Sequence, residues 1–538
     1  MERVVIIGAG LAGLSCARTL AEDGVASVLV SLQHSERAAS VLAEGGINAA
    51  MDVMGEHDSW EQHFEDTMRA GHLLADARSV AGLCYSAPAV VRSLIGLGVP
   101  FQTEGGALVQ RSFGGQKKKR TAFVGSVTGK MLVGALVDAV RRYEAAGLVE
   151  RRPHAELAKL ELAGGRCVGA WVQDSYSGER AFLAGPVVLA AGSMGGIFGP
   201  RTTGSKMNAG NVAAVAFSQG VELANLEFIQ YHPTTIPIFG KRLLVSEAAR
   251  GEGGRLFTMR DGKPWYFMEE LYPELGNLMP RDVVSREEHA QMADPRNDGT
   301  IYLDMRGIAE QVWRERLSDL RDEITHYTGR DPAVEPVAVE PGIHYCMGGV
   351  LVDEAHATNI AGLYAAGECA CAYHGANRLG GNSTLGAIYG GGVAARSAAG
   401  YLASEFAARE PEPFDESYAL AGAVDLAAEL ALEDCAFESL GLVRCEDELA
   451  AGEARAEELL ARSTYPQLAR RARLVLAAIR CARERTESRG AHVRSDYPEA
   501  DPALQKSSVV RTDGARIAHE FRAPASSLED IDTTSWGA

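Results

Sequence analysis

The sequence predicts an α/β protein: a Rossmann-like nucleotide-binding domain, interrupted by an α+β insertion and followed by a C-terminal helical domain. Three observations carry this reading. A β-branched run enters a glycine-rich turn at the start of the chain. Two more strand patterns of the same kind, each ending in small residues, stand far apart downstream. Polar motifs fill the space between them, and an Ala/Leu/Glu/Arg-rich stretch follows.

Val4-Val5-Ile6-Ile7 reads as a buried strand. Gly8-Ala9-Gly10-Leu11-Ala12-Gly13 follows, then a helical pattern to Leu20, and 26–31 reads as the next strand. Strand, tight turn, helix and strand form the βαβ dinucleotide unit. Gly8 permits the turn, Gly10 lets the backbone approach a pyrophosphate, and Gly13 lets helix and strand pack closely. The helix N-terminus offers N–H groups and a positive dipole end to the phosphates. The second strand ends at Ser31 without a carboxylate, and the first acid beyond it is Glu36. The ribose-binding acid of NAD sites is therefore missing there, which leaves FAD open.

Val187-Val188-Leu189-Ala190-Ala191-Gly192 and Gly362-Leu363-Tyr364-Ala365-Ala366-Gly367-Glu368 supply the other two strands. The expected domains are 1–226 and 343–404 for the nucleotide domain, 227–342 for the insertion, and 405–510 for the helical domain. Helical periodicity is strongest over 419–432 and 449–460, and a polar surface tail is expected at 511–538.

Composition narrows the function. With 538 residues and 46% hydrophobic content, the chain has ample core for several domains and is not disordered. A net charge of −18 argues against a nucleic-acid partner, which needs a basic face. Nine cysteines without a C-x-x-C spacing give no disulfide framework, c-type haem attachment or iron–sulfur run, and no metal site is expected. Cys369 and Cys371 read as small packed residues. Met1-Glu2-Arg3 runs straight into a strand, with no signal peptide. No run of about 18 uninterrupted apolar residues occurs, so no membrane span is expected. These features suggest a cytoplasmic protein that would meet a membrane only through a partner.

The chemistry-bearing motifs begin at Gln230-Tyr231-His232-Pro233-Thr234 and continue with Ser246-Glu247-Ala248-Ala249-Arg250-Gly251. Pro280-Arg281-Asp282 and His344-Tyr345-Cys346-Met347-Gly348-Gly349 follow, then His374-Gly375-Ala376-Asn377-Arg378-Leu379-Gly380-Gly381-Asn382-Ser383. Glu487-Ser488-Arg489-Gly490-Ala491-His492 comes last. Arginine and histidine in turn-rich, glycine-rich contexts suit a small dianion, because a guanidinium presents a planar fork to a carboxylate.

In this order the motifs resemble the flavoprotein subunit of the succinate dehydrogenase/fumarate reductase family, whose superfamily includes L-aspartate oxidase. The resemblance implies FAD, a capping domain that closes over a dicarboxylate, and hydride transfer between the flavin and an alkene carbon. Arg281 resembles the proton-transferring arginine. His232, Ser246, His344 and Arg378 resemble the carboxylate-binding groups, and Glu247 and Arg250 the relay that re-protonates the arginine. The implied flavin contacts are Gly8, Ala9, Gly10, Ala12, Gly13, Ser31, Ser40, Glu44, Gly45, Gly46, Asn211, Glu368, Leu379 and Ser383. Glu368 resembles the ribose-binding acid.

Departures from the family pattern are informative. Ala39 occupies the position at which many members attach FAD to a histidine, and His34 lies five residues too early, so non-covalent FAD is expected. Asn211 replaces the usual Asp, Ser246 and Cys346 each replace a Thr, and Thr384-Leu385-Gly386 departs from the common N-S-L pattern. Phe113-Gly114-Gly115, Arg120-Thr121 and Thr128-Gly129 favour the succinate/fumarate branch. The resemblance also implies an external electron partner, an iron–sulfur subunit with or without a membrane anchor. Glu44 and the missing histidine favour fumarate reduction. L-aspartate oxidation, reduction of another unsaturated acid, and a flavin electron-transfer or assembly role without dicarboxylate chemistry remain the alternatives.

Overall fold

The computed structural model describes residues 2–420, 424–463, 465–514 and 516–531. A five-stranded parallel sheet anchors it, in the order Leu363–Ala365, Val187–Leu189, Val4–Ile7, Ser27–Ser31, Val149–Pro153. Val4, Val5 and Ile6 are fully buried and Ile7 nearly so, as expected of a strand with helices or sheet on both faces. The first strand is central, so the strand order reverses beside it, and a crevice opens at the carboxyl ends. Gly8, Ser31, Ala190 and Gly367 all sit at those ends.

The first helix, Leu11–Glu22, packs against Asn382–Ser404 and Thr128–Ala145. Ala77–Gly96 is long and apolar enough to cross a membrane by length and composition, with a mean hydropathy of 1.2. Arg78 and Arg92 interrupt it, so it is not the unbroken apolar run whose absence the sequence predicts, and half of its apolar window is buried within the protein. It packs between Trp60–Ala70 and Asn382–Ser404, where one face joins the core.

The segment between the distant strands forms a second, antiparallel sheet of six strands. Their order is Lys241–Leu244, Ile229–Ile238, Val337–Cys346, Ile301–Asp304, Arg255–Arg260, Lys263–Trp265. The register between Ile229–Ile238 and Val337–Cys346 breaks on both sides of the Tyr231–His232 pair. Such irregularities re-aim side chains, and Pro233, with no N–H, suits the interruption.

Leu426–Ser439, Glu446–Arg462 and Pro466–Glu484 pack as a helical group. The helical pattern expected from 419 begins later, at Leu426, because the Asp425 side chain accepts from the Ala428 N–H and caps the helix there. Residues 421–423 of that pattern lie outside the described residues.

The expected surface tail at 511–538 is corrected by a hairpin. Ser507–Thr512 pairs with Ile517–Arg522 and with Leu223–Ala224, completing another five-stranded sheet. Every second residue of Ile517–Arg522 is partly covered, the period of a half-buried strand. Beyond it, Ser526 donates from both N and Oγ to Asp76. Residues 532–538 lie outside the described residues.

Candidate active site

One cavity runs from the glycine turn to the second sheet. Its lining passes from Gly8, Ala9, Gly10 and Ala12 through Ser31, Ser40 and Glu44–Gly46 to His232, Ser246, Glu247, Arg281, His344 and Arg378. Asn211, Glu368 and Ser383 also line it. Gly13 lies behind the turn. Leu379 is not among the lining residues; its side chain points towards Gly115. Arg250 stands behind Glu247, outside the lining.

The nucleotide end is made by close backbone approach. Gly8 has φ +115°, and a Cβ there would sit 2.2 Å from the Ala190 carbonyl oxygen. A Cβ on Gly13 would sit 1.8 Å from the Gly8 carbonyl oxygen. Ser40 Oγ accepts from the Leu11 N–H at 3.2 Å at the helix start. Glu44 is half-buried with one carboxylate oxygen enclosed and unpaired, and desolvation pushes its pKa well above the ordinary range. Burial likewise raises Glu368, which accepts from Ser193 Oγ at 2.9 Å and the Cys346 N–H at 3.1 Å. A glycine-formed cradle with unspent polar atoms fits a dinucleotide such as FAD.

Asn211 has a local explanation. Its Nδ2 donates to Glu156 Oε1 at 2.7 Å, while its Oδ1 is buried without a partner. An aspartate there would set two carboxylates against each other, so the amide suits this neighbour.

The other end is ionic. Arg281 opens the helix Arg281–Ala293, and its Nε and Nη2 donate to Glu247 Oε2 at 2.9 and 2.6 Å. Glu247 begins the short helix Glu247–Gly251, capped by Ser246, and its Oε1 accepts from the Gly114 N–H at 2.9 Å. Arg250, one turn on, lies 3.4 Å from Glu247 and donates to the Asn277 carbonyl. Burial alone would raise the Glu247 pKa, but Arg281 and Arg250 outweigh it and hold it below the ordinary value.

Gln230 joins the two arginines of the cavity. Its Oε1 accepts from Arg281 Nη1 at 3.3 Å and Arg378 Nη2 at 2.9 Å. Its Nε2 donates to Asn377 Oδ1 and the Arg378 carbonyl. The Arg378 guanidinium also lies over the Tyr345 ring, 4.4 Å from its centroid. Burial, then the nearby Arg281 charge, lowers the Arg378 pKa to about 9, which leaves it charged at neutral pH.

His232 and His344 meet edge to face, with ring centroids 5.1 Å apart. Burial first, then Arg281, holds both well below the usual histidine pKa, so both are neutral at pH 7. Thr203 Oγ1 lies 2.8 Å from His344 Nδ1 and fixes how that ring is presented. Three guanidiniums against the Glu247 carboxylate leave two positive charges, the complement of a dicarboxylate.

The sequence reading missed Thr203 as a site residue and gave Gln230 no role. Gln230 stands two residues before His232 on one strand, so the period of two already placed them on one face. Thr203 carried no signal beyond its turn-rich surroundings. The loop bearing Arg378 is held from two sides. The Ala376 N–H donates to the Gly71 carbonyl at 3.0 Å, and the Ala491 N–H donates to the Ala376 carbonyl at 2.9 Å.

Comparisons with known proteins agree with this geometry. The FAD binding domain family matches residues 3–384, and the fumarate reductase flavoprotein C-terminal family matches 460–532. The succinate dehydrogenase flavoprotein subunit of Bacillus subtilis is 36% identical, covering 99% of this chain and 96% of that protein. An L-aspartate oxidase of Streptomyces coelicolor is 35% identical, covering 94% of this chain and 90% of that protein. A quinol fumarate reductase chain of E. coli superposes with a TM-score of 0.87 at 27% identity, covering 99% of this chain and 97% of that one. Near-complete coverage in both sequence and structure assigns the chain to the flavoprotein-subunit family of succinate dehydrogenase and fumarate reductase, as an FAD-dependent oxidoreductase.

Proposed function

We propose that the protein interconverts fumarate and succinate, working mainly as a fumarate reductase. The observation that carries this is the placement of Arg281, tied to Glu247 in a cavity where His232, Ser246, His344 and Arg378 converge. Bound FAD supplies hydride donation and acceptance. Arg378, His232, His344 and Ser246 hold the two carboxylates and orient the alkene. Arg281 delivers the proton to the carbon that becomes basic once hydride has reached its neighbour. A high-pKa donor suits so basic a centre, and Glu247 with Arg250 returns the proton. Gly8, Gly10, Ser31, Ser40, Glu44, Asn211, Glu368 and Ser383 are the groups offered to the cofactor, and Gly13 acts from behind by letting the helix pack close to the turn.

The FAD is held without a covalent bond. Ala39 lines the cavity and offers no nucleophile; His34 also lines it, but stands five residues before that position and meets His154 edge-on at 5.0 Å. Electrons pass to and from a separate iron–sulfur subunit, a reading supported by a relative named as a flavoprotein subunit. Docking through that subunit would place the protein at the cytoplasmic face of a membrane anchor.

A steady-state assay with reduced viologen tests the reading, run against fumarate, other enoates and, with oxygen, L-aspartate. Fumarate should be reduced fastest, and faster than succinate is oxidised with a matched dye. Preferential oxidation of L-aspartate, or a faster turnover of another enoate, would replace this substrate. Acid precipitation should release all the flavin; fluorescence that stays with the denatured chain would overturn the non-covalent reading.

A further inference from the structure

A further titratable group lies behind the ionic end of the cavity. Glu288 stands seven residues beyond Arg281 on the helix Arg281–Ala293, two turns along the same face. It is 0% exposed, and neither carboxylate oxygen has a hydrogen-bond partner. That is a costly place for an ionised carboxylate. Its helix packs on the strands Ile229–Ile238, Ile301–Asp304 and Val337–Cys346. Among the described residues, Arg250 is the charged group that acts on Glu288. Burial nevertheless dominates and holds the carboxyl pKa well above the ordinary range.

Arg250 is unspent in a matching way. Its Nη1 is used by the Asn277 carbonyl, but its Nε and Nη2 have no hydrogen-bond partner. Its Nη2 is 3.4 Å from Glu247 yet out of alignment for a bond. It therefore feels two carboxyl groups, Glu247 and Glu288. Free donors on one side and free acceptors on the other are what a bridging water satisfies.

We propose that Glu288 is the proton-storing end of the relay, passing its proton through a bridging water to Arg250. This rests on the proton-delivery role given above to Arg281. In each reduction Arg281 gives one proton to the substrate carbon. Glu247 restores it, Arg250 restores Glu247, and Glu288 restores Arg250. Glu288, left as a carboxylate, takes one proton from solvent. No electrons move along this chain, and in the oxidative direction each transfer reverses.

Glu288→Gln keeps the volume and hydrogen-bonding capacity but cannot carry the proton; Glu288→Met serves if the Gln variant does not fold. We expect FAD content and fumarate KM within about twofold of wild type, and kcat lower by about 10–100-fold, at or below the lower bound of direct general acid–base effects because Glu288 acts through other groups. The deficit should widen as pH rises and free protons become scarce. Glu288→Asp should recover part of it. Infrared difference spectroscopy at neutral pH should show a protonated-carboxyl band in wild type that the Gln variant lacks. Stability gives a third measure. The unfolded chain releases this proton above about pH 4.3 while the folded chain keeps it, so wild type loses stability with rising pH and the variant loses less.

Wild-type kcat at every pH in the Gln variant, or no difference in the carboxyl band, overturns the proposal. If wild type itself does not reduce fumarate, the functional reading has failed instead. If Arg281→Ala abolishes turnover while Glu288→Gln does not alter it, only the storage role falls.

Discussion

The two ends of the cavity are built by opposite means. The nucleotide end is backbone: Gly8 and Gly13 are shaped by steric approach, and the residues that form the turn are contiguous in sequence. The ionic end is made by side-chain charge and its hydrogen bonds: Gln230, Glu247, Arg281 and Arg378 come from four separated segments. A backbone site tolerates no added atoms but needs little chemistry. A charge site tolerates small shape changes but depends on every partner, because each loss leaves a buried group unpaired.

The comparison breaks most visibly at Gly13. Gly13→Val would drive a side chain into the Gly8 carbonyl, so the purified protein should retain no FAD and have no activity. Normal visible flavin absorbance in that variant would show that the turn is not sterically fixed. At the ionic end, Arg281→Ala should retain FAD yet lose about 10²–10⁴-fold in kcat, the worth of a positioned acid. Arg378→Ala should act mainly on fumarate affinity. Should Arg281→Ala keep more than about a tenth of wild-type kcat, its acid role is wrong.

A milder cut is Gln230→Leu, which removes the acceptor shared by Arg281 and Arg378. One to three kcal/mol for unsatisfied buried groups converts to roughly 10–100-fold in kcat/KM. An unchanged value would mean that the arginines are positioned without it. The smallest effect concerns pH and stability. His232 and His344 stay neutral when folded, whereas the unfolded chain takes up protons below about pH 6.5. Stability should therefore fall as pH drops through that range, by up to about 1.4 kcal/mol per pH unit for each histidine. His344→Gln should flatten the slope in denaturant titrations, and an identical slope would count against a neutral His344 in the folded protein.

The same contrast explains what was legible in the sequence. Val4–Ile7 and the glycine turn signal themselves locally, because strand period and turn chemistry act over a few residues. The motifs around His232, Arg281 and Arg378 stood out by residue type and by resemblance, but spacing could not show which side chains meet. That Gln230 holds two arginines at once depends on a contact across 148 positions. Tertiary pairing also defeated the tail expectation. Ile517–Arg522 carries a period of two, yet its polar alternate residues hid a strand that needs Leu223–Ala224 to lie beside its partner. The late start of the helix at Leu426 was readable in principle from Asp425, a good capping residue among alanines.

One carboxylate links access to chemistry. Glu247 belongs to the inserted segment, yet one of its oxygens holds the Gly114 N–H of the nucleotide domain while the other holds Arg281. A motion that swung the inserted segment away to admit substrate would have to part Glu247 from Gly114. When Glu247 itself takes up a proton, its grip on that amide weakens at the same moment. If Arg281 is the proton donor as proposed, its counter-ion and the contact that holds the inserted segment share one carboxylate, so closure and readiness would coincide without any separate sensor.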